Sequence, residues 1–309
     1  TIGENFTASY KERVSVGTNS ALGSIVYNAL QFPSIVPVRD INGNYAGNPL
    51  NDLANPLGSL ERGKDNKLKS IQALGNVFAE LNISDFTART SLGLDYQSNN
   101  QRSFSPVYDE ILAQNNINSL NTINNFNYQL TWTNTLNYSK NIDLNNLDIL
   151  LGQEAIKYYY EGFSASRQNF LYEDPNFRYL SYGTQNQLNS GSANEWTLNS
   201  YFAQAKYNYD QKYLFTATVR RDGTSRLANN NWGTFPAFSA GWRIDREDFF
   251  DFDDTFSSFL LRGSWGQTGN QQVPSYSTVD SYSNNNAYSD YGIEGEQTTV
   301  STGLTQTRV

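Results

Sequence analysis

The chain has 309 residues, a net charge of −8, and neither cysteine nor histidine. The negative charge and the lack of a basic stripe argue against a nucleic-acid partner. Without these two residue types the chain has no thiolate, no histidine base and no histidine zinc ligand, so we expect neither an enzyme nor a cofactor site. Charged residues make up only 17%, which is low for a soluble surface, whereas aromatic residues reach 14%.

Nine segments alternate with period 2, the pattern of a β-strand that has one apolar and one polar face. In chain order they are residues 5–14, 67–81, 86–97, 126–139, 147–160, 195–209, 212–221, 234–244 and 259–266. In the fourth segment, for example, Leu130 and Trp132 occupy the apolar face and Thr131 the polar face. Gln153 interrupts the apolar face of the fifth segment.

The connections alternate between short turns, as at 82–85 and 141–146, and long polar loops at 17–66, 98–125 and 161–194. Such long loops are unusual in a compact soluble domain, but outer-membrane barrels have short periplasmic turns and long extracellular loops. Strands of about ten residues also suit a tilted membrane crossing. The sequence therefore predicts an all-β fold, an antiparallel transmembrane β-barrel. Because single-chain bacterial barrels have even strand numbers, nine strands predict an internal piece of a larger barrel.

The last 115 or so residues carry the strings that resemble a known protein family. YLFTATVRRDGTSR (213–226) and WGTFPAFSAGWRI (232–244) resemble the SusC/RagA family of TonB-dependent outer-membrane transporters. LLRGSWGQTGNQ (260–271) is similar to the next block of that family, and EWTLNSYFAQAKYNYDQKY (195–213) to the preceding hairpin. PSIVPVRDINGNYAG (33–47) resembles an upstream loop segment.

The resemblance implies that the whole chain is part of a barrel in the cell outer membrane, in contact with the lipid bilayer. That family forms 22-stranded barrels filled by an N-terminal plug and capped by a SusD-like surface lipoprotein. In that family TonB drives import, and we expect oligosaccharides as the substrate class, with peptides as the alternative. The plug, the TonB box and the closing strands are not recognisable in this sequence. A surface-exposed β-sandwich, either an adhesin or a glycan-binding protein, is the alternative that the strand pattern leaves open.

Arg243 and Arg262 fall on the polar faces of two consecutive strands. If the polar face lines a barrel, these arginines could pair with carboxylates of the plug, or they could belong to a solvated pore wall. The acidic turn after residue 244 lacks the spacing of a calcium loop and is interpreted as a solvated turn. Residues 221–226 (RDGTSR) are interpreted as the end of a hairpin with an Arg–Asp pair.

Aromatic residues are frequent beyond the fifth strand, and we expect them to contact the substrate or the lid, or to pack the loop. The residues in question are Phe163, Phe170, Tyr172, Phe177, Tyr179 and Tyr182. Tyr158, Tyr159 and Tyr160 end the predicted strand, so an aromatic girdle at the lipid headgroups is their expected role.

Overall fold

A computed structural model describes residues 1–15, 24–227, 231–250, 257–271 and 273. The predicted polar tail 271–309 therefore lies outside the described residues except for 271 and 273. The described strands are β1 (Ile2–Val14), β2 (Lys67–Ile83), β3 (Phe86–Ser105), β4 (Tyr108–Glu110), β5 (Ala113–Asn115), β6 (Ser119–Ile142), β7 (Asn145–Phe170), β8 (Gly183–Tyr209), β9 (Tyr213–Thr224), β10 (Trp232–Arg243) and β11 (Leu260–Gly266). The α-helices are α1 (Ile25–Gln31) and α2 (Pro56–Gly63), and single 3₁₀ turns lie at Pro175–Phe177, Leu180–Tyr182 and Ile244–Arg246.

Nine of the strands form one antiparallel sheet in the order β1-β2-β3-β6-β7-β8-β9-β10-β11. Strands β4 and β5 form a separate small hairpin in the connection between β3 and β6. The nine long strands are the nine that the alternating pattern predicts, and the all-β antiparallel fold is confirmed. Each strand of this sheet pairs with its neighbour in an antiparallel ladder, and in the β7–β8 ladder the register shifts once, between Ser166 and Gln168.

Antiparallel pairing places same-face residues of neighbouring strands opposite one another, so the alternation within each strand extends across the sheet. Leu94 lies opposite Leu130, and Phe215 lies opposite Ala240. We call the side that carries these four residues the apolar face. The other side, the polar face, carries mainly amides and hydroxyls, including Asn125, Asn127, Gln129, Thr131, Thr133, Ser200, Thr216 and Thr218.

Tight turns join the strands at one end of the sheet. Ser84, Asp143 and Asp210 have φ values of 52°, 49° and 51°. Left-handed backbone in a two-residue hairpin turn matches the twist of the flanking strands, and Asp adopts it more readily than most residues. Both predicted short turns, 82–85 and 141–146, are confirmed as two-residue connections.

The long loops at the other end are shorter than the sequence predicts. Strands β3 and β6 continue through much of 98–125, and β7 and β8 continue through all of 161–194 except 171–182. The prediction was wrong because it relied on alternating hydrophobicity, which disappears where both faces of a strand are polar. The ladder itself continues there with polar cross-strand pairs, such as Asn99 Nδ2 donating to Asn125 Oδ1 at 3.0 Å.

The predicted loop 17–66 contains both α-helices and is anchored by one buried carboxylate. Glu110, at the end of β4, is 3% exposed. It accepts hydrogen bonds from the backbone N–H of Asn55 at 2.6 Å and from Nη1 of Arg62 at 2.5 Å. The side chain of Asn55 also caps α2 by accepting from the N–H of Leu57 at 3.1 Å. Because a buried carboxylate is stable only when it is paired, this node holds the loop against the β4–β5 hairpin.

Packed apolar core is scarce in the described part of the chain. Phe104, Leu120 and Phe170 form one small buried cluster near the long ends of β3, β6 and β7. Neither described helix is long and apolar enough to cross a membrane.

Candidate functional site

The apolar face carries large side chains that no other described part of the chain covers. Trp132, Phe215 and Trp265 are 51%, 51% and 56% exposed, although each lies within the hydrogen-bonded ladder of the sheet. Phe238 and Trp265 stack across β10 and β11 with their ring centroids 6.2 Å apart. An exposed apolar surface that extends over nine strands is far larger than a soluble monomer normally shows.

A row of polar side chains crosses this apolar face on four strands. Thr90 Oγ1 donates to Asn134 Oδ1 at 2.7 Å, and Asn134 Nδ2 donates to Gln153 Oε1 at 2.8 Å. Gln153 Nε2 then donates to Asn199 Oδ1 at 3.1 Å. The indole N–H of Trp132, on the same face, also donates to Thr90 Oγ1 at 3.1 Å. Gln153, which interrupts the pattern in the sequence, is thus the middle link of a hydrogen-bonded chain.

Aromatic rings border the apolar face at both ends. Tyr128 and Tyr159 stack with centroids 5.5 Å apart on the side of the long strand ends. Tyr209 and Tyr213 stack at 6.3 Å beside a tight turn. Of the three consecutive tyrosines, only Tyr159 belongs to this border, because alternation places its two neighbours on the polar face. The expectation that all three form a girdle at a strand end was therefore wrong, since β7 continues to Phe170.

One charge network spans three strands on the polar face. Arg220 Nη2 contacts Glu154 Oε1 at 3.1 Å and Ser200 Oγ at 2.9 Å, and its Nε contacts Asp222 Oδ1 at 2.8 Å. Ser200 is completely buried beneath it. The Arg–Asp pair was predicted within residues 221–226, but Asp222 pairs with Arg220, which precedes that string. Through its Nε and Nη2 groups Arg220 ties β7, β8 and β9 together.

Beyond this network, three side chains stand side by side on the polar face. The rings of Tyr158 and Trp196 stack with centroids 5.5 Å apart and an angle of 20° between their planes. The guanidinium of Arg226 lies over the other side of Trp196, 4.3 Å from the ring centroid. We call these three residues the ring stack. Asn127 Nδ2 donates to the Tyr158 hydroxyl at 3.4 Å, so the stack is continuous with the amide-rich wall.

The sequence did not point to the ring stack as a site. Trp196 and Arg226 lie in separate strings, and Tyr158 had been placed with its neighbours at a strand end. The signal that could have found it is strand parity: Tyr158 and Trp196 lie directly opposite each other in the β7–β8 pairing. Both residues lie inside the predicted strands 147–160 and 195–209, but the sequence does not give the register that places them opposite each other.

Arg243 and Arg262 lie on the polar face of β10 and β11, close to the tight-turn end, as predicted. Gly241, the same-face neighbour of Arg243, is the register partner of Arg262. Arg243 forms a two-point ion pair with Asp245, through Nη2 at 2.6 Å and Nε at 3.3 Å. This pair lowers the pKa of the Asp245 carboxyl, chiefly through the hydrogen bond from Arg243. Arg262 is exposed and has no ion pair among the described residues.

In the same turn, the carboxylate of Glu247 accepts hydrogen bonds from two aromatic side chains of the apolar face. Glu247 Oε1 accepts from the Tyr213 hydroxyl at 2.6 Å and from Trp242 Nε1 at 2.8 Å. Lys212 lies 3.7 Å from its other oxygen. The hydrogen bond from Tyr213 is the main reason why the pKa of Glu247 is lowered, and the bond from Trp242 is the next. Of the predicted acidic turn, residues 251–256 lie outside the described part.

The six aromatic residues predicted beyond the fifth strand lie on the apolar side of the sheet's extension. Phe163 follows the apolar-face alternation of β7 and is exposed. Phe170 is 4% exposed and packs edge-on against Phe104 with centroids 5.5 Å apart. Phe104 and its partner Leu120 continue the alternation of the apolar face without a break in register. Phe170 therefore packs the loop, and its ring is not available to a substrate.

The remaining four aromatic residues belong to residues 171–182, which we call the aromatic loop. Tyr172 and Phe177 are in contact at 5.3 Å, and Phe177 and Tyr182 at 6.1 Å. Tyr179 contacts Tyr182 at 6.4 Å, and all four rings are exposed. Arg178 anchors the loop, because its guanidinium lies 4.5 Å from the Phe104 ring centroid. The loop thus covers the outside of the strand extensions and does not reach the polar face.

Sequence comparison gives the same assignment as the geometry. The chain is 31% identical over 257 residues to the TonB-dependent receptor SusC of Bacteroides thetaiotaomicron, a match that covers 80% of this chain and 24% of the relative. Over this length the chain is similar to SusC-type TonB-dependent receptors. It is also 29% identical over 283 residues to TonB-dependent receptor P3 of Formosa agariphila, covering 89% of this chain and 27% of that receptor. No protein-family model matches the chain.

Solved structures agree with this similarity at the level of fold. The RagAB peptide importer in its open-open state matches with a TM-score of 0.79 at 23% identity, covering 99% of this chain and 34% of that chain. The structure titled as the RagAB peptide transporter matches with a TM-score of 0.77 at 22% identity, covering 99% and 34%. The chain thus spans about a quarter of the curated receptors' length. The curated relatives are receptors, in agreement with the expectation that the chain is not an enzyme.

Proposed function

We propose that the sheet is a wall section of an outer-membrane import barrel, with the apolar face toward lipid and the polar face toward the lumen. The observation that carries this proposal is the two-sided sheet itself, exposed and apolar on one side and rich in amides on the other. A barrel satisfies every backbone polar group within hydrocarbon, which an open sheet edge cannot do. Closure by further strands would give the barrel of about 22 strands that the family resemblance implies.

The height of the apolar face supports a membrane crossing. On β6 the bordering residues Tyr128 and Tyr138 are ten residue steps apart, or about 33 Å along a strand at roughly 3.3 Å per residue. At a tilt of about 40° this length corresponds to a height of about 25 Å, close to the apolar band of outer-membrane barrels. Lys157 lies two residues inside the Tyr159 border on the same face, opposite Leu130, and its ammonium reaches outward to Glu195, level with Tyr159, at 3.2 Å.

The soluble β-sandwich, the alternative reading of the strand pattern, has less support. A sandwich needs a second sheet about 10 Å above the apolar face. In the described residues the only other sheet is the short β4–β5 hairpin, and it lies in the connection beyond the ends of β3 and β6. The apolar face remains exposed, as lipid contact requires.

The transported substrate, the energy source and the partners belong to the same proposal. We expect TonB-dependent uptake of oligosaccharides, with peptides as the second substrate class, beneath a SusD-like surface lipoprotein. The aromatic loop suits contact with that lipoprotein, because its four exposed rings lie on the outside of the strand extensions. Phe163 lies on the same side and could extend this contact.

Two arginines are proposed to contact the plug. Arg262 is exposed and unpaired among the described residues, and Arg243 keeps its guanidinium on the same face. In the full-length receptor, the double substitution Arg243→Ala and Arg262→Ala should raise the leak conductance in planar bilayers. Arg246→Ala, in the same turn, is the control and should leave conductance unchanged. Equal conductance in all three proteins would show that these arginines do not hold the plug.

Cell fractionation and uptake test the proposal as a whole. The full-length receptor should remain in the outer-membrane fraction after salt extraction, and its deletion should abolish growth on the transported oligosaccharide. A protonophore should stop uptake without releasing the receptor from the membrane. Recovery of the full-length protein in the soluble fraction would refute the import function.

A further inference from the structure

We propose that the ring stack of Tyr158, Trp196 and Arg226 binds the carboxylate of an acidic oligosaccharide. This inference rests on the proposed import function, since it places the site on the lumenal wall. It narrows the substrate class from oligosaccharides in general to those that carry a sugar acid.

The first argument is the unused hydrogen-bonding capacity of Arg226. Its Nη1 donates to the backbone carbonyl of Gln271 at 3.2 Å. Its Nε is out of contact with water and has no hydrogen-bond partner among the described residues. An unpaired buried donor costs about 1–3 kcal/mol, so such a group usually has a ligand or a structural partner. The Nε–Nη2 edge is one of the two edges with which arginine binds a carboxylate through two parallel hydrogen bonds.

The second argument is charge. Arg89, Arg220 and Arg243 on the polar face each have a carboxylate oxygen within 3.4 Å. Arg226 has no carboxylate within ion-pair distance in the described part of the chain. An uncompensated guanidinium, stacked on a ring and partly buried, attracts an anionic group more strongly than an exposed one does.

The third argument is the pre-arranged geometry of the stack. Trp196 holds the guanidinium plane on one side and is itself supported by Tyr158 on the other. Fixing the planar group in advance lowers the entropy lost on binding.

The neighbouring side chains favour a sugar over a peptide. Asn127, Gln129 and Asn194 surround Tyr158 and Trp196 on the same face. The side-chain oxygen of Asn194 is buried without a hydrogen-bond partner among the described residues. Amides both donate and accept, as sugar hydroxyls do, so each can pair with a hydroxyl group on the ring that carries the carboxylate.

Isothermal calorimetry on the purified full-length receptor tests the inference with trigalacturonate and its methyl ester. The two probes share the sugar rings, and only the first carries carboxylates. Wild-type receptor should bind the acid at least about tenfold more tightly than the ester, which is the effect of one charge-assisted bidentate contact. Arg226→Gln should remove most of this preference, and Arg226→Lys should keep part of it because the charge remains.

Arg221→Gln is the matched control. Arg221 lies near the end of β9, five residues before Arg226, and stacks over the ring of Trp232, 5.3 Å from its centroid, on the apolar face. This variant should keep the full preference for the acid. Trialanine with a free or an amidated C-terminus forms the peptide arm, in which we expect no preference that depends on Arg226.

Three results would overturn the inference in whole or in part. Equal binding of acid and ester by the wild type, or an unchanged preference in Arg226→Gln, removes the carboxylate site. If Arg226 gives a preference for the free over the amidated C-terminus of trialanine, and none for the sugar acid over its ester, the ligand is a peptide and not a sugar. None of these results affects the import function, which fractionation and uptake test separately.

Discussion

Asn134 Nδ2 donates a hydrogen bond to Gln153 Oε1 at 2.8 Å in the middle of an apolar surface. The two amides lie directly opposite each other in the β6–β7 pairing. Each also bonds a neighbour on its other side, Thr90 for Asn134 and Asn199 for Gln153. If this surface faces lipid, no water is available to replace these bonds, so the row must satisfy itself.

Gln153→Leu should therefore destabilise the receptor although it adds an apolar residue to an apolar face. The change leaves an amide donor on Asn134 and an acceptor on Asn199 unpaired, and about 1–3 kcal/mol is the expected loss in the free energy of unfolding. The midpoint of urea unfolding in phospholipid vesicles measures it. The double variant with Asn134→Leu should recover part of the loss, because both members of that pair are then apolar. If the double variant instead loses as much stability as the two single variants together, Asn134 and Gln153 do not stabilise each other.

Leu130→Arg tests which face meets lipid. Leu130 lies between the Tyr128 border and the middle of the band and faces Lys157, so a further cation there should cost about 1–3 kcal/mol in the free energy of unfolding from vesicles, between the values for the interface and the midplane. Thr131→Arg, one residue along on the polar face, introduces the same side chain into an aqueous lumen and should cost much less. Similar losses for the two variants would show that lipid does not cover one face while water covers the other.

Glu247 should make the turn after β10 sensitive to acid. Its pKa is lowered in the folded protein by the hydrogen bonds from Tyr213 and Trp242. A carboxyl with a lowered pKa stabilises the fold fully above its unfolded pKa, about 4.3 for Glu. This contribution is lost as the pH falls from there through the folded pKa. Thermal midpoints measured between neutral pH and about pH 3 should therefore fall less in Glu247→Gln than in the wild type.

A control for that experiment is Glu61→Gln: Glu61 is an exposed residue of α2 that pairs with Lys64 and lies far along the chain from the turn. It should retain the acid sensitivity of the wild type. If Glu247→Gln shows the same dependence on pH as the control, the carboxylate does not support the turn.

Gly152→Ala should be poorly tolerated because a ring covers the glycine. A Cβ at residue 152 would lie 2.1 Å from the ring of Phe202, its partner on β8. The ring would have to leave the polar face of the wall, at an expected cost of about 1–3 kcal/mol in the free energy of unfolding. Gly93→Ala is the matched control, since its Cβ would meet only ordinary contacts at 3.7 Å and beyond. A loss in Gly152→Ala no greater than in the control would mean that Phe202 moves aside freely.

Alternation correctly predicted the strands wherever one face is apolar and the other polar. Phe215 and Trp242 were placed on the correct face, and Arg243 and Arg262 on the opposite one. The method failed above the apolar band, where residues such as Asn99 and Asn125 pair across strands without any hydrophobic period. As a result, the aromatic loop was predicted to be much longer than residues 171–182.

The sequence by itself determined the number of long strands, their two faces and the family resemblance, because these depend on local period and on contiguous strings. Only the tertiary structure decided which side chains meet across strands. It joined Gln153 to Asn134, placed Tyr158 beside Trp196 and put the aromatic loop on the apolar side of the sheet. Each of these contacts depends on register between segments that are distant in sequence, and register is set by pairing across the whole sheet.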